Sequence, residues 1–133
     1  MMSTSWVASA NGNSEFPLQN LPFGVFRRAG SAEAPRVGVA IGDDVLDVAA
    51  CLAAGLLDDA TSEAQRGARA CASPSLNALM SLGAPVRRAL RDALMALLSR
   101  DVPEHKRLVE QHALVAQQDA QMYLPVQVGD YTD

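Results

Sequence analysis

The chain has 133 residues, a length that suits one domain with an ordinary hydrophobic core. Its 49% hydrophobic and 20% charged residues exclude a disordered or membrane-like composition. Lys and Arg total 11 against 15 Asp and Glu, and the formal net charge of −4 lacks the basic footprint of a nucleic-acid binder.

The start, MMSTSWVASANGNSEF, carries no basic segment followed by an apolar run, so it is not read as a secretory signal. No apolar stretch reaches bilayer-spanning length. A soluble, cytoplasmic protein without a membrane partner is the expectation. Residues 1–15 are small and polar apart from Trp6 and Val7, which predicts a loose arm with Trp6 as the residue able to pin it.

Phe16-Pro17-Leu18-Gln19-Asn20-Leu21-Pro22-Phe23-Gly24 sets two prolines among apolar residues. Each proline removes a donor and fixes φ, so an extended, packed connection is predicted rather than a helix or a central strand. Gly24 to Arg28 reads as a first strand and Ala29 to Pro35 as a turn. Val37, Val39 and Ile41 alternate in the second strand, Arg36 to Ile41. Gly42-Asp43-Asp44 is a tight turn, and Val45 to Val48 returns antiparallel as the third.

Asp47 can cap a helix running through Leu57, with Val48, Cys51, Leu52 and Leu56 at helical spacing. Asp58 to Ala72 is Ala-rich and weakly patterned, and reads as irregular or partly helical. Ser73-Pro74 predicts a cap with proline at the first helical position, opening a short helix through Leu76, Leu79 and Met80 that Gly83 stops. Pro85 opens the clearest helix, with Val86, Leu90, Leu94, Leu97 and Leu98 on one face and Arg87, Arg88, Arg91 and Asp92 opposite. Asp101-Val102-Pro103 ends it. Leu114 to Tyr123 is ambiguous between strand and helix, and Leu124 to Val128 reads as extended.

Few residues suggest chemistry. Nucleophile-elbow, phosphate-loop, zinc-protease and dinucleotide-binding motifs are all missing from the sequence. Cys51 and Cys71 read as reduced, buried thiols. His105 and His112, seven apart, would share a helical face, yet no third ligand lies nearby, and solvated surface histidines are expected. Arg27, Arg28, Arg87, Arg88, Arg91 and Arg100 read as solvated faces of a strand and a helix. The stretch Gly129-Asp130-Tyr131-Thr132-Asp133 offers two carboxylates and a hydroxyl, the oxygen donors a hard cation takes. The same residues are also ordinary turn and cap residues, and spacing alone does not separate the two readings.

Leu124-Pro125 followed by Gly129 to Asp133 resembles the junction between the amino-terminal and catalytic domains of fumarylacetoacetases. Phe16 to Phe26 resembles the family's opening motif. Arg36 to Asp43 with Leu46-Asp47 is similar to its second motif, and Ser75 to Gly83 to its third. Residues 58–72 and the polar start show no clear match.

The resemblance implies a small SH3-like β-barrel decorated with two to four α-helices, a mainly β fold with helices. The small polar start reads as a flexible arm over 1–15, and the resemblance implies a domain over 16–123 and the start of a junction over 124–133. It further implies membership of an enzyme that hydrolyses 4-fumarylacetoacetate to fumarate and acetoacetate in tyrosine catabolism. In that family a Ca²⁺ or Mg²⁺ ion polarises the substrate and a His paired with Glu activates water. The second Asp of the DYTD motif is a metal ligand there, which places the role on Asp133. The catalytic histidine, the other ligands and the substrate contacts belong to a larger catalytic domain. One carboxylate does not hold Ca²⁺, which takes six to eight oxygens. These residues alone are therefore expected to bind no metal and to be inactive, with no catalytic or cofactor-binding residue of their own. Expected partners are the catalytic domain of the same protein and, in the full-length enzyme, a second copy in a homodimer. The competing reading is a stand-alone, non-enzymatic SH3-like module for interaction or oligomerisation.

Overall fold

A computed structural model of the chain describes residues 5–12 and 16–123. Strands β1 (Phe23–Arg28), β2 (Arg36–Ile41) and β3 (Asp44–Asp47) form the expected antiparallel meander. Ile41 pairs with Asp44, so Gly42-Asp43 is a two-residue hairpin loop. Gly42 has φ +57, and a Cβ there would lie 2.6 Å from Ala10 N, so both turn geometry and close packing require glycine.

Helices α1 (Val48–Ala53), α2 (Ser62–Ala70), α3 (Asn77–Met80), α4 (Ala84–Ser99) and α5 (Pro103–His112) follow. Strands β4 (Leu114–Ala116) and β5 (Ala120–Tyr123) are separated by the 3-10 turn Gln117–Asp119. The ambiguous 114–123 segment thus resolves into strand, turn and strand. All five strands form one antiparallel sheet in the order β4-β3-β2-β1-β5.

The sheet-with-helices expectation holds, with five helices among the described residues instead of two to four. No strand pairing joins β4 to β5 among the described residues, so the sheet is open there rather than a closed barrel. It is nevertheless curled. Val115 of β4 and Ala120 of β5, from opposite edges, meet Phe26 and Val45 in one apolar cluster.

The main core lies on the other face. Val25, Val37, Val39, Ile41 and Leu46 pack there with Leu79, Leu90, Leu94, Leu98 and Val109 from the helices. Alternation puts these strand residues on one face and Gly24, Phe26, Gly38 and Val45 on the opposite one. Leu21, in the connection before β1, takes φ +39, rare for a side chain of its kind. Complete burial and the Arg91 Nε, which donates to its carbonyl at 3.3 Å, hold it there.

Several local expectations are corrected. Helix α1 ends at Ala53 instead of Leu57, because Gly55 turns the chain at φ +79. The 58–72 stretch is partly helical, the second of its two readings, with α2 inside it. Thr61 Oγ1 accepts from Ala64 N at 3.1 Å and caps α2, whose small buried residues Ala64, Gly67 and Ala68 let it approach α4. A Cβ on Gly67 would stand 3.1 Å from Val86 Cγ1 and 3.3 Å from Leu90 Cδ2. A face of small residues carries little hydrophobic contrast, which is why its pattern is weak. Helix α3 begins at Asn77, not Pro74; the Ser73 and Ser75 hydroxyls accept from Ser75 N and Asn77 N in turns ahead of it.

The described part of the arm, Ser5–Gly12, is docked, with Trp6 among the residues that pin it. The Ser5 hydroxyl and Trp6 N donate to Leu98 O at 2.7 and 3.1 Å, and Trp6 Nε1 donates to Leu97 O at 3.0 Å. These bonds satisfy carbonyls left without partners at the end of α4. At its other end the arm reaches the β2–β3 hairpin, where Ser9 Oγ accepts from Asp43 N at 2.9 Å.

Candidate functional site

Four charged side chains, Arg28, Glu33, Arg36 and Asp47, converge at one place. Register pairs Phe26 with Arg36 and Gly38 with Asp47, so Arg28, Arg36 and Asp47 project from the same sheet face as Phe26. Asp47 joins the third strand to α1, and its carboxylate is fully buried. One oxygen, Oδ1, accepts from Ala50 N at 3.2 Å and caps α1. The other, Oδ2, faces two guanidinium groups: Arg36 Nη1 at 3.2 Å and Arg28 Nη1 at 3.9 Å.

Glu33, on the exposed turn between β1 and β2, approaches the same two arginines from outside. Its Oε2 stands 3.1 Å from Arg36 Nη2 and 3.9 Å from Arg28 Nη1. Arg28 Nη2 donates to the carbonyl of His112, the last residue of α5, at 3.4 Å. A shallow depression of about 640 Å³ opens over this cluster, floored by Ala49, Ala50, Ala53 and Ala54 of α1 and its end.

Burial pushes the Asp47 carboxyl above the ordinary aspartate range; the charge of Arg36, the bond from Ala50 N and the charge of Arg28 only partly offset it. Burial, then the Asp47 charge, pushes the Cys71 thiol up to about 12 and raises Cys51 as well. Both cysteines are free and buried, so neither is a nucleophile in this setting.

The other candidates disperse. His112 lines the depression beside Arg28, whereas His105 lines a separate one of about 350 Å³ with Asp59 and Asp92. Among the described residues no group of three or more His, Cys, Asp or Glu is placed to hold a metal ion. The described residues therefore do not by themselves fit Ca²⁺ or Mg²⁺. Asp133, the residue assigned to the metal, lies outside the described residues, as does the whole segment 124–133. Among the described residues no helix is long and apolar enough to cross a membrane.

The arginines are less solvated than expected. Arg87 is buried and its Nη1 donates to Met80 O at 3.2 Å. Arg91 stacks on Phe23, its guanidinium carbon 4.6 Å from the ring centroid. Arg28 and Arg36 are tied to carboxylates, while Arg88 and Arg100 are exposed. The cluster of Arg28, Glu33, Arg36 and Asp47 has no signature in spacing. Its nearest signal is the placement of Arg28, Arg36 and Asp47 at ends of strands that register on one face.

The fold and this site define a class, a curled five-stranded antiparallel domain braced by helices, with an arginine–carboxylate cluster on one sheet face. The family model for the fumarylacetoacetase N-terminal region matches residues 19–125. The chain belongs to that family. It is 44% identical to a fumarylacetoacetase of Oryza sativa subsp. japonica, over 97% of this chain and 30% of the relative. It is also 43% identical to one from Caenorhabditis elegans and 38% identical to one from Bos taurus, each over 91% of this chain and 28% of the relative. The chain thus spans less than a third of the length of these relatives.

Proposed function

We propose that this chain is the amino-terminal domain of a fumarylacetoacetase, an enzyme that hydrolyses 4-fumarylacetoacetate to fumarate and acetoacetate in tyrosine catabolism. The observation that carries the reading is the family match over residues 19–125, joined to the likeness of Gly129 to Asp133 to the family's domain junction. In this reading the domain packs against a catalytic domain of the same polypeptide in a cytoplasmic homodimer. Asp133 supplies one carboxylate to a Ca²⁺ or Mg²⁺ ion whose other ligands the catalytic domain provides. When bound, the ion supplies Lewis-acid polarisation of the substrate oxygens.

The domain's own contribution is structural. Strand β5 carries the chain along the sheet edge, paired to β1 as far as Tyr123, ten residues before Asp133. The 133 residues alone are inactive, because one carboxylate meets a small part of the oxygen demand of either ion.

Two measurements test this. In the polypeptide extended through its downstream reading frame, Asp133→Asn lowers hydrolysis of 4-fumarylacetoacetate by about a hundredfold or more, as loss of a metal ligand does. For the 133-residue chain, millimolar Ca²⁺ or Mg²⁺ leaves the melting temperature unchanged. An extended wild type without this hydrolase activity refutes the assignment. A clear upward shift of the short chain with either ion refutes the divided metal site.

A further inference from the structure

We propose that Arg28 and Arg36 form a carboxylate-binding fork that Glu33 occupies from within the chain. Both guanidinium groups converge on one buried oxygen, Asp47 Oδ2, which fixes them side by side. Asp47 neutralises one of the two positive charges and cannot leave, being buried and engaged in capping α1. Glu33 neutralises the other and can leave. Its side chain is 56% exposed, on the turn between two strands.

The same Glu33 oxygen faces both arginines, so the chain itself displays the chemistry the fork accepts. Arg28 is under-used. Among the described residues its five N–H donors make one hydrogen bond, at 3.4 Å to His112 O, and its ion pairs both stand at 3.9 Å. That bond anchors the guanidinium while leaving donors directed at the depression. The alanine floor leaves room for a carboxylate and the atoms that carry it. A planar guanidinium pair suits a carboxylate better than a spherical anion, because it offers paired donors at fixed spacing. Swinging Glu33 aside uncovers one net positive charge over an open depression. The ligand is then a carboxylate, borne either by a small organic acid or by an acidic side chain of a protein segment.

The test is a titration of the 133-residue chain with sodium malonate and, separately, with an Asp- and Glu-containing pentapeptide, following the Arg28 and Arg36 Nε–Hε resonances by NMR. Sodium chloride at matched ionic strength is the control. An exposed ion pair of this kind contributes little, so Glu33→Gln should tighten carboxylate binding by about threefold and Arg28→Gln should weaken it by about as much. Stronger response to malonate assigns the fork to small acids, and stronger response to the peptide assigns it to a protein segment. Equal affinity in wild type and Glu33→Gln overturns the proposal. So does affinity that Arg28→Gln leaves undiminished, read at Arg36, or a response to chloride equal to that with carboxylate. Both substitutions replace partly or largely exposed side chains, and unchanged melting temperatures confirm that the fold is intact.

Discussion

The two faces of the curled sheet do different work. One face presents Val25, Val37, Val39, Ile41 and Leu46, all buried under helices in a continuous apolar core. The other carries two glycines, a small cluster around Phe26, and the ionic group of Arg28, Arg36 and Asp47. Burial of apolar area stabilises in proportion to the area, so the first face supplies most of the cohesion. The second face shows that a sheet held from one side can leave charged groups on its other side. A buried ion pair must meet its desolvation cost before it stabilises anything, so such groups are weak braces.

Truncation on the first face should have the largest effect. Leu46→Ala removes a fully buried side chain beneath α-helices and should cost about 3 kcal/mol, read as a lowered urea midpoint with an unchanged slope. A cost below about 1 kcal/mol would deny this face its dominance. On the second face, Gly38→Ala should destabilise by about 2 kcal/mol in the same assay. Its Cβ would lie 2.6 Å from Leu46 O, 2.8 Å from Phe26 Cε1 and 2.9 Å from Val45 Cγ1, so neighbouring strand backbone must shift. A neutral outcome would mean that Phe26 does not rest on that glycine.

The smallest effect concerns pH. Because burial raises the Asp47 carboxyl in the fold, the folded chain holds that proton more tightly than the unfolded chain. The favourable contribution is complete below the ordinary aspartate value of 3.8 and is lost as pH rises through the raised value. Asp44 moves the same way, through burial and then the charge of Asp43, so a comparison with Asp47→Asn isolates the effect. Relative to Asp47→Asn, the wild type should gain stability as pH falls from neutrality. The opposite trend would show that the two arginines outweigh burial and that the ionic group is a true brace.

The meander was legible because its information is local. Val37, Val39 and Ile41 alternate, Gly42 sits where a two-residue hairpin needs positive φ, and Asp47 caps the helix that follows. The stripe from Val86 to Leu98 announced α4 in the same way, through the period of its own residues. Helix α2 was obscure because close approach to α4 demands Ala64, Gly67 and Ala68, and small residues leave little periodic contrast. Arg87 sits on the polar arc of α4, where spacing predicts a solvated side chain, whereas the Met80 carbonyl receives it. Asp133 and the motif from Leu124 onward, read from resemblance, lie outside the described residues. The arginine fork was not legible in the sequence.

The sequence by itself determined the family, the hairpins, the long helix and the apolar stripes, since each depends on neighbours within a turn or two of the chain. Tertiary structure alone decided that the arm around Trp6 ends α4, that β4 and β5 flank the sheet at opposite edges, and that Glu33 meets Arg28 and Arg36 above a buried Asp47. The physical reason is the same in each case. Backbone carbonyls and buried charges must find partners wherever the fold brings them, and such partners carry no periodicity along the chain.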